Sequence, residues 1–203
     1  MSTLLKEVDV KEIRSFIEIN HYSKSINGCK ISKCFGAYKD GNLVGAALYG
    51  ELSTTAWKKY ADKEKDVLEL RRLVTINKDK NFLSKFLAWQ IKQLKKTSYK
   101  LIVSYADPYH NHIGYIYQAT NWSYLGTTAK DNLLLTPDGR TYHSRAMRTK
   151  YKGVLKPFAQ KLQELYDQGL LKEVQVPGKH IYVYSLVGKQ VSNPSNYPKE
   201  KND

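Results

Sequence analysis

The residues able to do chemistry in this chain fall into four short clusters. His21-Tyr22-Ser23 brings an imidazole, a phenol and a hydroxyl to the end of a helix, where such groups serve as caps or as titratable machinery. Ser104-Tyr105-Ala106-Asp107-Pro108 ends an apolar run on a carboxylate. Ligands gather at the C-terminal strand edge of an open α/β sheet. There Asp107 can act as a general base, a metal ligand or an orienter of an amine; followed by proline, it also reads as a turn opener. The block from Gly114 to Trp122 carries Tyr117, a phenol able to protonate a departing thiolate, although core packing accounts equally well for its aromatic residues. Glu69-Leu70-Arg71-Arg72 and residues 77–84 set a strand end before a helix N-terminus. Backbone N–H groups in that position can cradle a pyrophosphate, with Arg72 and Ser84 as further donors. His110-Asn111-His112 spells part of a nuclease motif but lacks the ββα-metal context, so it is set aside; His143 and His180 read as surface or phosphate-contacting groups.

The elements that must position these groups are legible from periodicity. Ile13, Phe16 and Ile17 share one face of a helix over residues 10–19 that stops before His21. Residues 34–38 and 43–48 flank Asp40-Gly41-Asn42 as a β-hairpin. A charged stretch over residues 57–65 reads as helical, and residues 67–74 as a strand whose blurred alternation fits burial on both faces. Phe82, Phe86, Trp89, Ile91 and Leu94 recur at helical spacing, and residues 101–105 form the next strand, so strand, helix and strand predict a right-handed parallel crossover. A short helix over residues 113–119 and a strand over residues 122–126 follow. Beyond them come a second hairpin around Pro137-Asp138-Gly139, a helix over residues 157–166 stopped by Gly169, and a third hairpin pairing residues 170–176 with 180–186 across Pro177-Gly178. The expected architecture is α/β: a mixed sheet flanked by helices over residues 1–130, a basic α+β extension over 131–191 packed on it, and a disordered tail over 192–203.

Composition narrows the partners. With 33 Lys and Arg against 19 Asp and Glu, the 203-residue chain carries a formal charge of +14, which favours a polyanion. Residues 139–163 hold seven basic side chains and no acidic one; of these Arg140, Arg145, Arg148, Lys150 and Lys152 are the expected phosphate contacts. Sixteen tyrosines against five phenylalanines suit surfaces where bases or a polar cofactor are held. Two cysteines, Cys29 and Cys34, imply no disulfide framework, and the charges at Lys6, Glu7 and Asp9 exclude a secretory leader. No apolar run nears membrane-spanning length, so a soluble intracellular protein with no membrane partner is expected.

Taken in order, His21-Tyr22-Ser23, Leu48-Tyr49-Gly50, residues 69–74, Ser104-Tyr105-Ala106-Asp107 and residues 114–122 resemble the Mom family of phage DNA adenine-modifying proteins. The likeness covers about residues 10–126. It implies a GNAT-like acyltransferase fold and a protein at work in the cytoplasm of an infected bacterial host. The implied activity converts adenine N6 in double-stranded DNA to a carbamoylmethylated amine, shielding viral DNA from host restriction. It also implies acetyl-CoA as a cofactor and an iron requirement. Tyr22 and Asp107 would be catalytic and possible iron ligands, His21 and Tyr117 would join them in catalysis, and Arg72, Ser84 and Tyr117 would line the cofactor side, with Arg71 as the alternative register. Residues 74–82 lack the glycines of the usual GNAT pyrophosphate loop. Plain acetyl transfer would leave an amide, so the carbon-to-N6 link and terminal carboxamide require chemistry beyond it. Two other readings stay open: a GNAT acetyltransferase acting on a protein or small amine, and a non-catalytic phage DNA-binding protein in which His21, Tyr22 and Asp107 are structural.

Overall fold

The computed structural model describes residues 3–52 and 55–199. They form two compact units, one from Met1–Gly126 with His180–Asp203 and one from Thr127–Lys179.

The first unit is built on strands β1 (Thr3–Glu7), β2 (Ile31–Lys39), β3 (Asn42–Gly50), β4 (Val67–Thr75), β5 (Leu101–Ala106), β6 (Ser123–Thr127) and β12 (His180–Ser185). Their order in the sheet is β1-β2-β3-β4-β5-β12-β6. Asp40 and Gly41, both at positive φ (51° and 79°), turn β2 into β3 as the hairpin chemistry predicts. β4 and β5 are parallel, joined by helix α2 (Phe82–Leu94) as expected of the crossover.

Side chains alternate across these strands and divide the core in two. Phe35, Ala37, Ala47, Tyr49, Leu68 and Leu70 point to the face covered by Phe86, Leu87, Ile91 and Leu94 of α2. Cys34, Ala46 and Leu48 point the other way, onto Ile13 and Ile17 of helix α1 (Val10–Asn20). Asp9 caps α1 in a reciprocal box with Glu12, which fixes where the helix begins and so where His21 ends it. Residues 57–65, expected to be helical, form only two 3-10 turns, Ala56–Lys59 and Glu64–Asp66.

The second unit holds β7 (Asp131–Leu135), β8 (Thr141–His143), the short pair β9 (Lys150–Tyr151) and β10 (Val154–Leu155), helix α4 (Pro157–Asp167) and β11 (Lys172–Val176). β7 and β8 form the second predicted hairpin, and Gly169 ends α4 at φ 67°.

Three further expectations fail. β11 pairs with β7, and β12 pairs antiparallel with β5, so residues 170–176 and 180–186 are not a hairpin. Tyr182 and Val183 are buried on opposite faces of the main sheet, a demand for a central position that the local Pro-Gly signal could not express. For the same reason residues 180–191 belong to the first unit rather than to a basic extension. The tail is ordered over 192–199, where the Ser195 N–H donates to the Tyr124 carbonyl at 2.7 Å and the Tyr197 hydroxyl to the Trp122 carbonyl at 2.6 Å; residues 200–203 lie outside the described residues.

Candidate active site

β4 and β5 are paired only from Val67 with Leu101 to Leu70 with Ser104. Beyond that point β4 stays bonded to β3 as far as Thr75, and β5 to β12 as far as Ala106. Each strand keeps its outer neighbour, so the inner edges part and leave a cleft of about 250 Å³. Leu70, Arg71 and Leu73 line it from β4, Ser104 to Asp107 from β5, Leu83 from α2, and Tyr22 from the turn after α1. Helix α3 (Tyr115–Gln118) closes it with Tyr117.

Tyr22, Asp107 and Tyr117, far apart in sequence, therefore share one cavity. Asp107 is largely buried, and its carboxylate accepts the Tyr109 N–H at 3.1 Å, capping a 3-10 turn that carries His110 and then His112 around it. Tyr117 is pinned by Ser104, whose single hydroxyl hydrogen goes either to the phenol oxygen at 2.7 Å or to the Leu70 carbonyl at 3.0 Å; in the second case Ser104 accepts from the phenol. When Ser104 donates to Tyr117, the phenol proton is released toward the cleft. Burial pushes that phenol up to about 12. Full proton transfer to a thiolate of ordinary pKa, about 8.5, is then uphill, and the group serves better as a hydrogen-bond donor to developing negative charge than as the proton source expected from the sequence.

Tyr22 is held between imidazoles: its ring centroid lies 4.3 Å from that of His21, 4.2 Å from His110 and 5.5 Å from His112. His21 sits behind it, buried, with Nδ1 accepting the Ser23 N–H at 3.1 Å, which leaves the proton of the neutral ring on Nε2. Burial first, then the charges of Arg72, His112 and His110, push its pKa down to about 3. Burial also lowers His112, with His110 adding to the effect and Asp107 opposing it.

The depressed value has a stability consequence with a definite sign. The unfolded imidazole takes a proton near 6.5 and the folded one only near 3, so stability is fully present above 6.5 and is lost as pH falls toward 3. The slope approaches about 1.4 kcal/mol per pH unit below the unfolded pKa. Urea midpoints measured between about pH 7.5 and 5 should fall for the native protein and fall less steeply for His21→Asn, which can still accept the Ser23 N–H; equal slopes would refute the assignment.

Of the two arginines, Arg71 lines the cleft and forms an ion pair with Glu69 at 3.2 Å. Arg72 instead donates from Nε to the Ser25 carbonyl at 2.9 Å, and acts on the site through its charge near His21. Ser84 is outside the cleft lining, its hydroxyl donating to the Asn81 carbonyl at 3.0 Å. His112 and Asn111, which sequence reading passed over, are in the wall. The available signal was their position one short turn beyond Asp107-Pro108, at the strand edge that ligands favour.

Two implied cofactors meet different fits. α2 begins beside the cleft at Leu83, has no acidic residue in its first turn and has no side-chain cap. Its N-cap Asn81 takes the left-handed conformation (φ 61°), so a glycine-free segment still delivers an open helix N-terminus able to face phosphate. Iron fits poorly: Tyr22 and Asp107 bring two oxygen donors, and among the described residues no group of three or more His, Cys, Asp or Glu is placed to hold an ion.

In the second unit Arg145, Arg148, Lys150 and Lys152 lie on the 3-10 turn Ser144–Arg148 and the start of the β9–β10 hairpin. Arg140 differs from them, being ion-paired with Asp138.

The family model of the Mom proteins matches residues 2–201. The chain belongs to the Mom protein family. A search of curated protein sequences returns no match. The fold of this Mom chain is similar to that of the ribosomal-protein-S18-alanine N-acetyltransferase from Escherichia coli, at 10% identity and a TM-score of 0.51 over 95% of this chain and 99% of that one. It is also similar to yncA from Salmonella typhimurium, a structure holding its cofactor acetyl-CoA, at 9% identity and a TM-score of 0.53 over 95% and 99% of the two chains. The structural likeness shows a shared GNAT-like fold, the α/β class expected from the sequence. Among the described residues, no helix of the Mom chain is long and apolar enough to cross a membrane.

Proposed function

We propose that this Mom-family protein is an acyl-CoA-dependent transferase that modifies the N6 amine of adenine in double-stranded DNA, yielding a carbamoylmethylated base that protects phage DNA from host restriction. The observation that carries the reading is the convergence of Tyr22, Asp107 and Tyr117 on the cleft between the parted strands, in a chain whose family model spans residues 2–201.

Acetyl-CoA would supply a two-carbon unit activated as a thioester. The inner edges of β4 and β5 offer unpaired backbone groups to an extended arm, and the first turn of α2 offers N–H groups to its phosphates. Asp107 would accept a hydrogen of the N6 amine and turn its lone pair toward the bound two-carbon unit. Attack at the thioester carbonyl alone expels the coenzyme A thiol and leaves an N6-acetyl amide, so the carbamoylmethyl product also consumes an ammonia-level nitrogen donor and a two-electron oxidant. Tyr117 would donate a hydrogen bond to negative charge developing on the acyl group, and Tyr22, sandwiched by His21 and His110, is a fixed aromatic wall of the cleft. The basic residues of the second unit hold DNA phosphates without reading sequence.

Tyr117→Phe keeps the ring packed against Trp122 and Tyr182, each 5.0 Å away between centroids, and removes only the donor. A loss of about 10²–10³ in turnover with unchanged unfolding is expected, as for removal of one oxyanion donor. The decisive measurement for the function is mass spectrometry of nucleosides from DNA of cells producing the protein. A new carbamoylmethylated adenosine supports the reading; unmodified adenine beside abundant soluble protein overturns it. Acetyl-CoA turnover on a DNA-free amine would replace it with the protein or small-amine reading.

A further inference from the structure

The second unit carries an element that the transfer chemistry does not use. β9 and β10 form a minimal antiparallel hairpin in which Tyr151 faces Val154 and Lys150 faces Leu155. Lys152 and Gly153 turn it, at φ 49° and 82°, both left-handed, as a tight two-residue turn requires. Facing residues of an antiparallel pair share one side of the ribbon, so Tyr151 and Val154 make a joint apolar face. Both are left in solvent, 66% and 65% exposed, although burial is the ordinary fate of such side chains. Lys152 Nζ lies 5.7 Å from the centroid of the Tyr151 ring. The ladder continues at the base of the hairpin, where the Lys156 N–H donates to the Thr149 carbonyl at 3.0 Å.

Its surroundings select the partner. Arg145 and Arg148 precede it, Lys150 and Lys152 lie within it, Lys156 follows, and no acidic residue occurs anywhere from 139 to 163. An apolar tip flanked along the chain by cations and no acidic residue is complementary to nucleic acid, where phosphates flank a stack of flat bases. Apolar side chains inserted between base steps unstack them and kink the duplex. An enzyme acting on a base amine inside a duplex must bring that base out of the stack.

We propose that the β9–β10 hairpin is a wedge for duplex DNA: Tyr151 enters the base stack with Val154 behind it, while the neighbouring lysines and arginines bind the flanking phosphates. The inference rests on the reading of the protein as a DNA-modifying enzyme and adds the device by which a base is freed from its neighbours.

The test uses the full-length protein, a mixed-sequence DNA duplex and permanganate, which oxidises unstacked thymines. The native protein should raise thymine reactivity on binding. Tyr151→Ala should reduce that increase by about tenfold or more, the scale of one lost aromatic stack, and Tyr151→Phe should retain it. The salt dependence of binding should be the same for all three, because no cation is removed. Equal permanganate reactivity for native protein and Tyr151→Ala overturns the wedge, as does DNA binding by the native protein with no thymine exposed. Loss of self-association in Tyr151→Ala, with unstacking unchanged, would assign the face to a second copy of the chain instead. Unstacking that depends on Tyr151 in a protein producing no modified adenine would uphold the wedge and overturn the proposed modification.

Discussion

Asp107→Asn is expected to lower adenine modification by about 10²–10⁴-fold, the range for removing a positioned general base. The substitution discriminates because the two jobs of this carboxylate separate. Its cap on the following turn, an accepted hydrogen bond from the Tyr109 N–H at 3.1 Å, needs only an oxygen acceptor, which asparagine supplies. Taking up a proton from the amine needs the carboxylate itself. Native-like unfolding with modification collapsed is therefore the predicted pair of results, read by denaturant titration and nucleoside mass spectrometry on the same preparation. Modification close to the native level would remove Asp107 from the mechanism. Asp107→Ala is the poorer probe, since loss of the cap costs about 1 kcal/mol as well and confuses the two effects.

A large loss of stability should come from Gly114→Ala. Gly114 caps α3 at φ 88°, and a Cβ there would stand 2.3 Å from Cε2 and 2.6 Å from Cζ of the Tyr182 ring. Tyr182 cannot swing away freely: it is buried on β12 between β5 and β6, and its hydroxyl donates to the Ile113 carbonyl at 2.5 Å and accepts from Gln118 at 3.2 Å. The left-handed backbone costs a non-glycine residue about 1–2 kcal/mol and the overpacking about 1–3 more, so a loss of about 2–5 kcal/mol is expected. Gly126→Ala is the control. It has a comparable φ of 85° but nothing within 4 Å of the new Cβ, so it should show the backbone cost alone. Two variants of equal stability would show that Tyr182 yields at little cost.

Gly114 also shows how the site is assembled. The close approach of backbone to the Tyr182 ring sets where α3 begins, and so where Tyr117 meets Ser104. The sequence displays the glycine and the tyrosine 68 residues apart with nothing to connect them. His112 was obscured in the same way. Its neighbours suggested an accidental motif, and only the folding of the turn after Asp107 against Tyr22 brings it into the cleft wall.

Local signals proved sufficient where the physics is local. The β2–β3 hairpin follows from Asp40-Gly41, α1 from the apolar stripe of Ile13, Phe16 and Ile17, and the β4–α2–β5 crossover from a change of hydrophobic period between buried strands. Strand β1 went unseen because five residues with one alternating pattern are weak evidence until β2 supplies the partner edge. Three of the four catalytic candidates, Tyr22, Asp107 and Tyr117, were legible as polar groups at element ends and converge on the cleft; His21, the fourth, supports Tyr22 from behind.

By itself, then, the sequence determined an α/β chain of net charge +14, the elements that carry its polar clusters, and a continuous basic segment in the region after β6. Tertiary structure alone decided that β12 leaves its apparent hairpin partner to pair with β5, that Arg71 rather than Arg72 faces the cleft, and that β4 and β5 part where the site opens. The physical reason is common to all three. Turn chemistry and periodicity act over a few residues, whereas strand pairing and side-chain facing are settled by which surfaces must be buried together, and those surfaces come from segments separated by most of the chain.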